Sequence, residues 1–346
     1  MKNLYVLFYL VMTLSSFSQN IKGKVFDKDK IPLSGVNIYY KGTTISTVSD
    51  ENGFFSLNYV PKANTILVIS FMGFQTQYFT GFDVNKDLNI KLSPSENTLK
   101  EVVVSRKDQF SRKQKLKIFR EQFLGQTPNG KVALIENEED IYFKYDKKNF
   151  VLKAFSDKPL IIISPSLGYK IYYELESFEV TFSKLSVYAD DAVLSFYKGL
   201  SRFEEINNTS EILIHREKAY QGSQIHFFSN MANNIWSKKQ FLLSNNEQPM
   251  SSNNCFKIYK EEDFIKVEVI KQSEKNKSTK FIASYDILFH QKEESNVIFE
   301  TSSFTIDRYG NNSNIENIIF SGKISEEKMG DMLPFNYMSV PEKLLQ

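Results

Sequence analysis

Between Ile21 and Leu92, apolar residues recur at every second position in short runs, each ended by glycine, proline, asparagine or aspartate. A period of two marks a half-buried strand, because successive side chains leave a pleated backbone on opposite faces. Ile21-Lys22-Gly23-Lys24-Val25-Phe26-Asp27 is the first run. Pro32 and Gly35 then bracket a turn, after which Val36, Ile38 and Tyr40 share one strand face and Asn37 and Tyr39 the other. Residues 43–48 give a further strand. Asp50-Glu51-Asn52-Gly53 turns the chain, with Gly53 free to take positive φ, and residues 54–57 resume the alternation, so a hairpin is expected here. Residues 65–71 form a more continuous apolar strand ended by Gly73, and residues 88–92 close the series.

Five ordered blocks in this stretch resemble the carboxypeptidase regulatory-like domain: Gly23-Lys24-Val25, Pro32-Leu33-Ser34-Gly35-Val36-Asn37-Ile38, Lys41-Gly42-Thr43, Asp50-Glu51-Asn52-Gly53-Phe54-Phe55 and Ser70-Phe71-Met72-Gly73-Phe74. Ser46 departs from the pattern, which has glycine there. The resemblance implies a seven-stranded, transthyretin-like (prealbumin-like) β-sandwich over residues 21–92. It also implies a non-catalytic module of the kind that begins many envelope proteins of the Bacteroidota.

Residues 1–18 carry Lys2, an apolar stretch over residues 4–14, and Ser16 and Ser18 placed around Phe17, the plan of a secretory leader cleaved after Ser18. The apolar stretch is shorter than the roughly 20 residues a helix needs to span a bilayer. No cysteine follows it to carry a lipid. Export to the periplasm or outer membrane, not as a lipoprotein, is therefore expected. The single cysteine, Cys255, cannot close an internal disulfide, so core burial has to hold the fold; within Asn254-Cys255-Phe256 it reads as a small buried hydrophobe. Lys and Arg number 43 against 41 Asp and Glu, a formal net charge of +2, which gives no electrostatic ground for nucleic acid as a partner.

After Ser93-Pro94-Ser95 comes Leu99-Lys100-Glu101-Val102-Val103-Val104, which resembles the element that follows this domain in TonB-dependent receptors and is engaged there by TonB. Residues 101–104 also read as the last strand of the sandwich. A 22-stranded receptor barrel needs roughly 200–240 residues in strands alone, which leaves too few for its loops and plug. Residues 106–124 carry Arg106, Lys107, Arg112, Lys113, Lys115, Lys117 and Arg120, while Leu116, Phe119 and Phe123 recur at spacings of three and four. This is the pattern of a basic amphipathic helix, ended by Gly125 and Pro128. Its cations form either a solvated face or a surface for peripheral contact with anionic lipid or an acidic partner. The expected organisation is a leader at 1–18, the sandwich at 19–93, a linker with the basic helix at 94–125, and a β-rich domain at 126–346.

In that last region the bias toward Phe (30) and Tyr (18) over a single Trp suits pleated strands. Residues 141–145 and 150–155 pair across Asp146-Lys147-Lys148-Asn149. Residues 159–163 lead into 167–175, where Tyr169, Ile171, Tyr173 and Leu175 line one face. Further strands fit 178–182, 192–197, 256–259, 264–270, 280–289, 297–306 and 315–320, with Tyr309-Gly310-Asn311 turning the last pair. The expected fold is thus mainly β, a sandwich, a basic helical linker and a larger β-rich domain with one or two helices.

One helix is expected from Arg216 to about Asn234, and it places Arg216, Tyr220, Ser223 and Phe227 on one face. With His226, the cation, phenol and hydroxyl of Arg216, Tyr220 and Ser223 are the candidate binding residues. The pair Gly222-Ser223 equally suits close packing of helix on sheet. Arg120-Glu121-Gln122-Phe123-Leu124-Gly125, Pro159-Leu160, Leu167-Gly168-Tyr169, Tyr220-Gln221-Gly222-Ser223 and Leu333-Pro334-Phe335-Asn336-Tyr337 resemble an extension found in other Bacteroidota proteins that begin with this domain; no activity is implied by it.

Catalytic patterns are incomplete. His290-Gln291-Lys292-Glu293 has the short His-x-x-Glu spacing of a zinc carboxypeptidase, but no histidine follows it to complete the site. On one helix Ser223 and His226 diverge by about 60°, which does not suit a nucleophile and its base. Glu138-Glu139-Asp140 and Glu261-Glu262-Asp263 lack the glycine-punctuated spacing of a calcium loop and read as solvated turns. No cofactor is expected. The reading is a non-catalytic exported protein that binds an envelope protein or cell-surface ligand. An accessory of TonB-linked uptake, and a hydrolase with an unrecognised site, are the alternatives.

Overall fold

The computed structural model describes residues 20–58, 66–83, 85–95, 109–245, 248–261, 264–271, 281–307 and 309–339. The leader, the 99–104 segment, Arg106 and Lys107 of the basic stretch, and Glu262-Asp263 lie outside the described residues. The chain divides into two compact units.

Among the described residues the smaller unit holds seven strands: β1 (Asn20–Phe26), β2 (Asn37–Tyr40), β3 (Ser46–Val48), β4 (Phe54–Asn58), β5 (Leu67–Ser70), β6 (Gln77–Phe79) and β7 (Leu88–Lys91). They form a sheet of order β4-β1-β7 and a second of order β3-β2-β5-β6. The period of two is realised: in β1, Ile21, Gly23 and Val25 are buried between exposed or half-exposed neighbours, and in β4, Phe55 and Leu57 are buried between exposed Phe54, Ser56 and Asn58. Ile21, Val25, Ile38, Tyr40, Phe55, Leu57, Leu67, Ile69 and Ile90 meet in one core between the sheets. The expected hairpin at Asp50–Gly53 is not one. The Asp50 carboxylate does accept from Asn52 N and Phe54 N, and Gly53 takes φ +76°. However, β3 pairs with β2 while β4 pairs with β1, so this turn carries the chain from one sheet to the other.

The larger unit opens with α1 (Arg112–Phe123), started by a capping box in which Ser111 and Gln114 each bond the other's backbone, and α2 (Pro128–Val132), capped by Thr127. β8 (Leu134–Ile135), β9 (Ile141–Asp146), β10 (Val151–Ser156), β11 (Leu160–Ser164), β12 (Tyr169–Phe182) and β13 (Ala192–Glu205) form one sheet of order β8-β11-β12-β10-β9, with β13 along the other side of β12. Segments 167–175 and 178–182 are one strand with a bulge between Leu175 and Ser177, because β13 pairs with both halves. α1 lies in the core of this sheet. Phe119 stacks on Phe123 at 5.0 Å and sits 4.6 Å from Phe178, ring centroid to ring centroid. Lys115, expected on the basic face, is buried as well.

α3 (Ser210–Tyr220) and α4 (Gln224–Asn233) follow, then β14 (Phe241–Asn245), β15 (Gln248–Met250), β16 (Phe256–Lys260), β17 (Ile265–Val269), β18 (Ala283–Phe289), β19 (Glu293–Phe299), β20 (Ser303–Ile306) and β21 (Ile318–Gly322). These build sheets of order β15-β14-β18-β19-β21 and β16-β17-β20 around Phe227, Phe228 and Met231 of α4. The expected strand 297–306 is two strands in different sheets, so Tyr309-Gly310-Asn311 does not turn a pair. Instead the Asp307 carboxylate accepts from Tyr309 N and Asn311 N and folds that loop on itself.

Candidate functional site

The candidate residues sit where the expected single helix is broken. α3 ends at Tyr220 and α4 begins at Gln224; between them Gly222 takes φ +83° and Ser223 is the N-cap of α4. Glycine is required there by conformation and by space, since a Cβ would meet the Phe289 ring at 3.0 Å. Arg216, Tyr220, Ser223 and Phe227 therefore do not share a helix face. The break puts Tyr220 in the core under α1 and Phe227 in the core around α4. Gly222 followed by Ser223 is a stop signal and a start signal in succession, and this was the cue in the sequence.

Arg216 is 3% exposed and every guanidinium nitrogen is engaged. Nε donates to Leu167 O at 2.7 Å, Nη1 to the Glu205 carboxylate at 2.6 Å, and Nη2 to Asn207 O at 2.7 Å and Gly168 O at 3.4 Å. The guanidinium also lies 4.0 Å from the centre of the Tyr169 ring, whose hydroxyl is pushed up to about 12 by burial. Gly168 permits this arrangement, because it takes φ +65° and a Cβ would lie 2.2 Å from Asn207 O. The arginine clamps the turn between β11 and β12 to the segment between β13 and α3.

Ser223 Oγ accepts from His226 N at 3.1 Å, an ordinary N-cap bond. The His226 imidazole turns back, and its Nδ1 accepts from Gly222 N at 3.1 Å. It stacks on Tyr220 at 4.8 Å and meets Phe241 and Phe289 edge-on. Burial holds its pKa down at about 4, against the raising effect of a hydrogen bond with Gln240. The imidazole is therefore neutral at pH 7. With Nδ1 facing backbone and Ser223 Oγ serving the helix terminus, the pair has no nucleophile–base contact.

Beside them lie residues that the sequence reading missed. Glu217 is buried and accepts from Gln221 Nε2 at 2.6 Å, Ser339 Oγ at 2.8 Å and the Tyr337 hydroxyl at 3.2 Å. Burial, and next the Glu217 charge, raise the Tyr337 pKa. Tyr337 packs on Tyr220 at 5.6 Å. The blocks Leu167-Gly168-Tyr169, Tyr220-Gln221-Gly222-Ser223 and the closing Tyr337 thus meet at one buried junction.

Other sequence candidates have local roles. His290 takes φ 48° in the turn between β18 and β19 and stacks on Phe289 at 4.0 Å. Among the described residues, no three His, Cys, Asp or Glu side chains are placed to hold a metal ion. Cys255 is buried, its thiol pushed up to about 11 by desolvation. The 138–140 turn is not simply solvated: Glu138 pairs with Arg120 and its carbonyl accepts from Arg112, while Asp140 accepts from Lys158. A groove of about 200 Å³ runs beside α1 and α2, lined in part by Lys117, Arg120, Glu121 and Lys131.

Comparison with known proteins identifies the smaller unit. Residues 21–104 carry a CarboxypepD_reg-like domain. The chain is 35% identical over 104 residues to TonB-dependent receptor P39 of Formosa agariphila, a match covering 28% of this chain and 10% of that protein. It is 36% identical over 97 residues to TonB-dependent receptor SusC of Bacteroides thetaiotaomicron, covering 28% of this chain and 9% of SusC. The matched region is thus about a tenth of either receptor's length.

Proposed function

We propose that this chain is a non-catalytic envelope protein in which the regulatory-like domain is a scaffold and the larger unit binds a component of outer-membrane uptake. The observation that carries this reading is the similarity of its regulatory-like region to TonB-dependent receptors. The larger unit supports the non-catalytic part of the reading. Its polar candidates Arg216, Ser223 and His226 bond protein groups inside the fold, where they position backbone rather than confront a substrate. Peripheral contact of α1 with anionic lipid is disfavoured, because three of its cations are already engaged: Arg112 donates to Ile141 O and Glu138 O, Arg120 pairs with Glu138, and Lys117 lies 3.8 Å from Glu121. No helix among the described residues is long and apolar enough to cross a membrane.

The test is cell fractionation of the untagged protein followed by cross-linking and affinity capture from envelope membranes. Co-purification of an outer-membrane transporter or a TonB component is expected. Recovery in the cytoplasm, or capture without any envelope transport component, overturns the reading.

A further inference from the structure

The described sheets have several edges, and most are short or charged. β8, β3, β6 and β15 have two or three residues each, β9 carries Lys144 and Asp146, and β16 carries Lys257 and Lys260. β13 differs from all of them. It is fourteen residues long and pairs with β12 on one side; on its other side Ser201 O accepts from Gly42 N and Phe203 N donates to Thr43 O, while among the described residues no strand pairs with that side from Ala192 to Lys198. Its first six residues, Ala192-Val193-Leu194-Ser195-Phe196-Tyr197, contain no charge, proline or glycine. Val193 is 69% exposed, Leu194 64% and Phe196 48%. An uncharged apolar edge of this length is a template for a further strand, and folded proteins protect such edges unless they use them.

We propose that this edge pairs with the same edge of a second copy of the chain, antiparallel about a two-fold axis through Ser195. The occupant follows from the sequence of the edge itself. In that register Leu194 faces Phe196 of the second copy and Val193 faces its Tyr197, so apolar residues meet apolar residues on both faces and the small hydroxyl lies on the axis. Leu194 and Phe196 of both copies then form one four-residue cluster on the outer face, which is where each copy exposes them. The same register sets Asp190, exposed just before the strand, diagonally beside Lys198 of the second copy, so opposite charges close both ends of the pairing. In the single copy Lys198 makes a surface ion pair with Glu316, which is readily exchanged.

The test is analytical ultracentrifugation of the full purified chain over a range of concentrations, with Leu194→Lys, Phe196→Glu and the double variant. Wild type is expected to show a monomer–dimer equilibrium. Each single variant sets a charge against an apolar residue and two like charges diagonally across the axis, so each is expected to weaken association about tenfold or more. In the double variant the introduced ammonium of one copy faces the introduced carboxylate of the other, and association returns in a salt-sensitive form. Both side chains are exposed, so thermal unfolding of the variants checks that the fold is unchanged. A wild-type chain that stays monomeric at the highest concentration overturns the proposal, as do single variants that dimerise like wild type or a double variant no better than the singles. Capture of a different protein on this edge by a chain that does not self-associate overturns it too.

Discussion

Arg216 and Ser223 looked alike as candidates, yet removing them has very different consequences. Without the guanidinium, the carbonyls of Leu167 and Asn207 lose their donor inside the fold, while Gly168 O keeps its bonds from Ile206 N and Asn207 N. Glu205 is 42% exposed and keeps access to water, so its share of the loss is small. Arg216→Met is expected to cost about 3 kcal/mol or more in urea unfolding, and Arg216→Lys to recover little, because an ammonium cannot span the separated acceptors. Ser223→Ala removes one N-cap bond and is expected to cost about 1 kcal/mol. Equal losses would contradict these roles. His226 adds a pH dependence. Its pKa is about 4 in the fold against an ordinary value of 6.5, so between those values the unfolded chain binds the additional proton. The stabilisation is fully present above about pH 6.5 and is lost as pH falls toward 4, by about 3 kcal/mol in all. Melting temperature measured from pH 7 to 4.5 should therefore fall less steeply for His226→Phe than for wild type.

At the level of elements, the break between α3 and α4 decides which residues meet. Gly222→Ala forces a β-carbon into positive φ and against the Phe289 ring, and is expected to destabilise by about 1–3 kcal/mol in chemical denaturation. A neutral substitution would mean that the turn relaxes freely. Strands whose partners lie close in sequence were legible from alternation alone, as with 141–145 against 150–155. Pairing across longer separations was not. The Asp50–Gly53 turn has all the chemistry of a hairpin, but pairing β4 with β1 buries Phe55 and Leu57 opposite Gly23 and Ile21, and no local signal encodes that choice. β14 and β15 were missed, since Phe241-Leu242-Leu243 and Gln248-Pro249-Met250 lack alternation; β14 is a strand because β18 lies beside it, and β15 because β14 does. The polar junction was half legible: its arginine, tyrosine and histidine stood out, while Glu217 and Ser339 are 122 residues apart and are joined only by folding.

Among the described residues the larger unit has two aromatic cores, and the helix break is what links them. Tyr220 belongs to the core under α1, and it stacks on His226, whose ring packs against Phe241 and Phe289 of the core around α4. If that stack couples them, the cores melt together; if each holds its own sheets independently, they melt apart. The single tryptophan distinguishes these cases, because Trp236 packs on Phe227 and Phe256 and so reports on the second core alone. Phe123 is fully buried in the first core, and Phe123→Ala removes a side chain that stacks on Phe119 and meets Tyr173 and Tyr197. Such a truncation costs about 3–5 kcal/mol wherever the site cannot collapse. Coupled cores require Phe123→Ala to lower the transition seen by Trp236 fluorescence as much as the transition seen by far-ultraviolet circular dichroism. Phe227→Ala, in the other core, should do the same to both. A Trp236 transition left in place by Phe123→Ala, with the circular dichroism melt split into two steps, would show that the junction of Tyr220 and His226 joins the cores in space without joining them in stability.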